Sequence, residues 1–178
     1  MQVTITAVDW ADPVGARLRR QDLEERGELP TGPYVEPGDA ERADHVELLL
    51  IARDRISGTW VACGALRPLE PSSMVRRGDL GMPRRQASAA VALISWLFVI
   101  PECRRQGLAR LVLAELELQA CALGWFTLRL LAHPERLPAL ALCTAAGYTR
   151  LAEPAPAGAD GLVVFEKRLP PVEVEGWV

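Results

Sequence analysis

The chain has 178 residues, of which 49% are hydrophobic and 24% charged, a composition that suits one soluble globular domain with a sizeable core. Its net charge of -3 speaks against a dedicated nucleic-acid binder, which carries a strongly basic face. The apolar run from Ala87 to Ile100 is too short, and too interrupted by Ser88 and Ser95, to span a bilayer, so no membrane association is expected.

Val3, Ile5 and Ala7 alternate with Thr4 and Thr6 and predict a first strand ending near Val8. Asp12-Pro13 reads as an N-cap followed by proline at the first helical position. The helix runs to Arg26, with Gly27 as its stop, a modest apolar stripe (Val14, Leu18, Leu23) and a charged outer face expected in solvent. Leu29 to Glu41 is rich in Pro and Gly and predicts a loop with no regular structure. His45 to Ala52 and Thr59 to Leu66 predict a β-hairpin turning through Asp54 to Gly58 and ended by Arg67-Pro68. Glu70 to Ala87, with Arg76-Arg77 and Arg84-Arg85, has no clear period and reads as a basic surface loop.

Ile94 to Ile100 is rich in β-branched and aromatic residues and predicts a buried strand, ended by Pro101. A basic turn follows, Arg104-Arg105-Gln106-Gly107, and then Leu108, Leu111, Val112, Leu116 and Leu123 fall at helical spacing up to Gly124. A strand that delivers such a turn onto a helix N-terminus suits an anion, because the first backbone N–H groups lack internal partners and the macrodipole favours negative charge. Trp125 to Leu131 predicts a fifth strand, Leu137 to Ala146 a helix closed by Gly147, Tyr148 to Leu151 a sixth strand and Leu162 to Leu169 a seventh. Glu153 to Gly161 is a loop between the last two strands. The order is β-α-ββ-β-α-β-α-β-β, an α/β sheet with helices on its faces.

Cys63, Cys103, Cys121 and Cys143 form no C-x-x-C pair and have no nearby histidine cluster, so a zinc site is not expected. Their spread through apolar segments suits reduced thiols in a cytoplasmic protein. The N-terminus lacks the basic and apolar regions of a signal peptide.

The strand, turn and helix around Gly107 resemble the pyrophosphate-binding segment of the GNAT N-acetyltransferase family, whose signature R/Q-x-x-G-x-G/A follows the fourth strand. The match is Arg104-x-x-Gly107-x-Ala109. Downstream, Ala139-Leu-Ala-Leu-Cys-Thr-Ala-Ala-Gly-Tyr148 is similar to the family's A-x-x-L-Y-x-x-x-G-F/Y segment, so the resemblance covers about Val46 to Leu169. It implies one GNAT-like domain over residues 1–169 with a tail at 170–178. The implied fold is a mixed, mostly antiparallel sheet of six to seven strands, flanked by helices and splayed between strands four and five. A second small helix, usual after the first, is not visible in this sequence.

The resemblance further implies acetyl-CoA as co-substrate and an amine of a small molecule or protein as acceptor; dimers are common in the family. The pantetheine arm would lie along Leu97, Phe98 and Val99, with a backbone N–H near Val99 offered to the thioester oxygen. Arg104, Arg105, Gln106, Gly107, Leu108 and Ala109 would hold the pyrophosphate. Outside that context Gly107 reads as an ordinary helix-start glycine and the arginines as a solvated turn.

The catalytic half of the family pattern is altered. The position aligned with the glutamate base of many relatives is Leu93, the usual tyrosine acid falls on Cys143, and the usual asparagine falls on Arg136. Cys143 is chemically able to protonate a thiolate, and otherwise reads as a buried small hydrophobe. His133 has the titration range of a base, and otherwise reads as a loop residue. Two functions follow: an acetyl-CoA-dependent N-acetyltransferase, or an acyl-CoA-binding regulatory module of the same fold with little catalysis.

Overall fold

The computed structural model describes residues 2–27, 46–69, 91–152 and 161–170. The loop expected at 29–41, the basic insertion at 70–87, most of the 153–161 loop and nearly all of the tail lie outside the described residues. Strands β1 (Val3–Val8), β2 (Leu48–Asp54), β3 (Trp60–Pro68), β4 (Val91–Val99), β5 (Thr127–Ala132), β6 (Thr149–Arg150) and β7 (Val163–Arg168) alternate with helices α1 (Pro13–Arg26), α2 (Leu108–Ala122) and α3 (Leu137–Ala145). The strands form a seven-stranded sheet in the order β1-β2-β3-β4-β5-β7-β6. β1–β2, β2–β3, β5–β7 and β6–β7 pair antiparallel, whereas β4 and β5 run parallel. Parallel neighbours need a crossover, and α2 supplies it.

The chain divides into two compact units, Met1–Pro68 with Ile94–Leu116, and Leu69–Leu93 with Glu117–Val178. In the first, Asp12 caps α1 by accepting from the amides of Val14 and Gly15 at 2.9 and 3.0 Å, and Gly27 closes it at φ 69°. The core joins Trp10 and Leu18 to Leu49 and Ile51 of β2, Cys63 and Ala65 of β3, and Phe98 of β4. Gly64 sets how closely α2 approaches: a Cβ there would stand 2.8 Å from Leu116 Cδ1 and 3.0 Å from Val112 Cγ1.

Two of the charges of α1 are not on the solvated face expected of them. Arg19 and Asp22 are 1% and 3% exposed. Arg19 lies 3.6 Å over the Trp10 ring and donates to the Trp10 carbonyl at 3.0 Å, while Arg26 grips both oxygens of Asp22. These contacts offset part of the cost of burying the two groups.

Strand limits moved where packing overrode local pattern. β4 begins at Val91 rather than Ile94 and ends at Val99, and β3 continues through Arg67-Pro68 instead of stopping before them. β5 starts at Thr127, two residues later than expected, with Leu128 and Leu130 inward.

In the second unit, β7 aligns Phe165 with both Leu130 and Arg150, and Arg129 of β5 pairs with Glu166 of β7 at 2.9 Å. Lys167 donates to Glu117 of α2 at 2.7 Å and to the Ala146 carbonyl at 2.9 Å, which places a cation at the C-terminal end of α3. Gly147, at φ 85°, turns the chain from α3 into β6.

A candidate active site at the end of strand four

β4 is interrupted at Trp96, whose φ of 56° is left-handed. For an aromatic residue inside a strand this costs on the order of 1–3 kcal/mol and persists only where surroundings enforce it. Nothing in the run Ile94 to Ile100 announces it, since aromatic and β-branched residues all suit an extended strand.

A contact from β3 reaches this residue. Cys63, fully buried, donates from Sγ to the Trp96 carbonyl at 3.3 Å. Burial, reinforced by the nearby Asp22 carboxylate, pushes the Cys63 thiol up to about 12, so it stays an S–H donor at neutral pH. Trp96 also meets Trp10 edge-on at 6.1 Å between centroids, with Arg26 6.0 Å from its ring. Ser95 Oγ and Trp10 Nε1 are buried and find no hydrogen-bond partner among the described residues.

Beyond the interruption, Phe98 and Val99 are buried and Leu97 is half-buried. A short 3-10 turn, Pro101–Cys103, leads into an exposed stretch from Arg104 to Gly107. Arg105 at φ 60° and Gly107 at φ 82° are both left-handed, and a Cβ at Gly107 would meet nothing within 4 Å. The loop therefore presents bare backbone to open space. Among the described residues the amides of Arg105, Gln106, Gly107, Leu108, Ala109 and Arg110 have no backbone acceptor; the first backbone bond of α2 is Leu111 N–H to the Gly107 carbonyl, 3.1 Å. A run of such amides at a helix N-terminus, with αL turns, is an anion cradle.

The two arginines expected to supply charge behave differently. Arg104 donates from Nε to the Val99 carbonyl at 2.9 Å and pairs with Glu25 of α1. Arg105 is exposed and makes no side-chain contact among the described residues. Leu108 is buried beneath the loop and Ala109 half-buried, so both contribute backbone. Leu97, Phe98, Val99 and the whole 104–109 segment thus fall in one unit and in one continuous run.

Cys143 and His133 belong to the other unit. Cys143 is 3% exposed on α3, and burial pushes its thiol up to about 11. His133 is exposed just past β5, and its carbonyl accepts the Arg136 amide at 3.0 Å. Below Cys143, the buried Tyr148 phenol is raised by burial and by the Glu117 charge. No group of three or more His, Cys, Asp or Glu is placed to hold a metal among the described residues, and no helix there is long and apolar enough to cross a membrane.

Sequence reasoning found the cradle but missed Trp96, Cys63 and the tie from Arg104 to Glu25. A contact between side chains 79 residues apart leaves no local signal.

The fold has many counterparts among solved structures. A protein provisionally named an acyl-CoA N-acyltransferase from Klebsiella pneumoniae subsp. pneumoniae is 24% identical, with a TM-score of 0.65 over 94% of this chain and 98% of its own. The ribosomal-protein-S18-alanine N-acetyltransferase from Escherichia coli is 16% identical, with a TM-score of 0.61 over 99% of this chain and 100% of its own. A GNAT family acetyltransferase from Elizabethkingia anophelis, solved with acetyl-CoA bound, is 13% identical, with a TM-score of 0.61 over 94% and 98% of the two chains. A comparison with curated proteins finds no match. The model of the acetyltransferase (GNAT) family matches residues 16–148, which takes in α1, the left-handed residue of β4, the Gly107 cradle and α3. With that span matched, the chain belongs to the GNAT acetyltransferase family.

Proposed function

We propose that the protein is an acetyl-CoA-dependent N-acetyltransferase acting on an amine of a small molecule or protein. The observation that carries this reading is the run of six amides at the N-terminus of α2 that have no backbone acceptor among the described residues, open above Gly107 and fed by β4. These residues fit a pyrophosphate: the group is doubly anionic, and the backbone N–H groups, helix dipole and Arg105 all favour negative charge. The pantetheine arm would follow Leu97, Phe98 and Val99.

Acetyl-CoA brings an acetyl group on a thioester, whose C–S bond breaks as a C–N bond forms to the acceptor amine; the amine proton is lost and the departing thiolate gains one. The chain must hold these partners together and stabilise charge on the carbonyl oxygen. A β4 amide beyond Trp96 is the donor this reading assigns to that oxygen. Arg104 fixes the Val99 carbonyl and so the end of the strand. Cys143 and His133 remain the assigned candidates for acid and base, and of the two His133 is the more accessible.

Isothermal titration with acetyl-CoA, followed by an amine panel monitored by thiol release, tests this. Binding with an acceptor-dependent rise in free thiol is the expected result. A second reading draws on β4 itself, VALISWLFV, which holds no carboxylate to serve as base. A binding module would take up acetyl-CoA and release no thiol with any amine.

A further inference from the structure

The left-handed residue of β4 needs something to hold it. An interior strand residue that turns left-handed withdraws its neighbours' N–H and C=O groups from the regular ladder. Where such groups are shielded from water they must be met elsewhere. Trp96 is the only non-glycine residue with positive φ inside a strand among the described residues. Cys63 Sγ donates to the Trp96 carbonyl at 3.3 Å, a bond from β3 to the left-handed residue itself.

Cysteine suits this task in three ways. It is small enough for a site with no exposure, beside Gly64, where a Cβ would already stand 2.8 Å from Leu116. It carries both a donor and an acceptor on one atom. And its burial keeps the proton on sulfur at neutral pH.

We propose that Cys63 is a positioning residue: by donating to the Trp96 carbonyl it holds the left-handed turn of β4, and thereby sets the direction of the β4 amide that meets the thioester carbonyl. The second half rests on the acetyltransferase reading above. The first half, that Cys63 holds the turn, stands on the geometry alone.

The test uses the full chain with three substitutions. Cys63→Ser keeps a donor and acceptor on one atom, Cys63→Ala removes both, and Cys63→Val fills the site without either. Backbone chemical shifts of Trp96 and Leu97 report the turn without any ligand. They stay at the native values in Cys63→Ser and move toward extended-strand values in Cys63→Ala and Cys63→Val. Infrared spectra of bound acetyl-CoA, labelled with 13C at the carbonyl, report the amide's direction. The native protein and Cys63→Ser lower the carbonyl frequency. Cys63→Ala and Cys63→Val lose that shift while their affinity for ADP, whose pyrophosphate would take only the Gly107 cradle, stays within about twofold of the native value. Native backbone shifts at Trp96 in a folded Cys63→Val protein overturn the claim that Cys63 holds the turn. A retained carbonyl shift in that variant overturns its role in positioning. Absence of any coenzyme A binding by the native protein overturns the acetyltransferase reading instead, and the backbone shifts still decide the first half.

Discussion

Arg104 reaches back from the cradle to the strand that delivers it, donating from Nε to the Val99 carbonyl across 2.9 Å while its other end pairs with Glu25. Arg105, next to it, is exposed and makes no such tie among the described residues. The sequence Arg-Arg therefore divides into one arginine that ties the loop to its strand and one that is exposed on it. The ion pair to Glu25 is well exposed, 40% and 38% on the two side chains, so it adds little. The bond to Val99 is the stronger element, because a charged donor meets a half-buried carbonyl.

Arg105→Ala accordingly weakens acetyl-CoA about fivefold and flattens the salt dependence of binding, with an unchanged melting temperature. Arg104→Ala lowers the melting temperature by about 2–4 °C, the size expected for roughly 1 kcal/mol in a chain of this length. Thermal melts and titrations of the two variants side by side check this. Equal loss of stability in both contradicts the division.

Gly107 is constrained by backbone and not by space. No atom lies within 4 Å of a Cβ placed there, yet its φ is 82°. Gly107→Ala thus costs about 1–2 kcal/mol through left-handed strain alone. Gly107→Asn costs less, since asparagine tolerates that region. Gly107→Asp leaves the fold near the asparagine variant but places a negative charge where a pyrophosphate would lie, and drops acetyl-CoA affinity more than tenfold, or about 1.4 kcal/mol. Chemical denaturation ranks the first pair and calorimetry separates the last.

How much of this was legible beforehand divides along physical lines. The Asp12 cap, the Gly27 stop and the strand–turn–helix around Gly107 are local devices, and each is written within a few neighbouring residues. The Trp96 turn is not, because the side chain that meets its carbonyl comes from β3, which only the folded sheet brings across. The buried Arg19 and Asp22 were hidden for the same reason: a charged helix residue reads as solvated until Trp10 and Arg26 are seen beside it. For Cys143 the sequence left acid and packing side by side, and its burial bears on that choice without any measurement of turnover.

Cys63 and Cys143 share a consequence for pH. Burial raises both thiols in the folded chain, to about 12 and about 11, above the 9.0 of an unperturbed thiol. The stability tied to their protonated forms is fully present below pH 9. As pH rises further the unfolded chain loses protons first, so that stability drains away through the folded values. The melting temperature therefore falls steeply above pH 9, and Cys143→Ala melts with a shallower fall between pH 9 and 11 than the native chain. Parallel curves contradict the account of Cys143 as a thiol kept neutral by burial.

Lys167 is the only lysine of the chain, and it joins Glu117 of α2 to the end of α3. Lys167→Met leaves the Glu117 carboxylate, whose Oε1 is already buried without a partner among the described residues, and the Ala146 carbonyl unmet. The expected loss is about 1–3 kcal/mol, held below the value of a fully buried pair by the partial exposure of both side chains. Amide exchange checks where the loss falls: protection at Ala146 to Tyr148 drops in the variant, and unchanged protection there contradicts a role in closing α3.

The central claim is that the Gly107 cradle holds the pyrophosphate of acetyl-CoA. Isothermal titration of the native chain and Gly107→Asp with acetyl-CoA tests it most directly. The account predicts saturable binding by the native chain at sub-millimolar acetyl-CoA and loss of that binding in Gly107→Asp, whose circular dichroism stays native. No heat of binding to the native chain at those concentrations, or equal affinity in the two proteins, would contradict it.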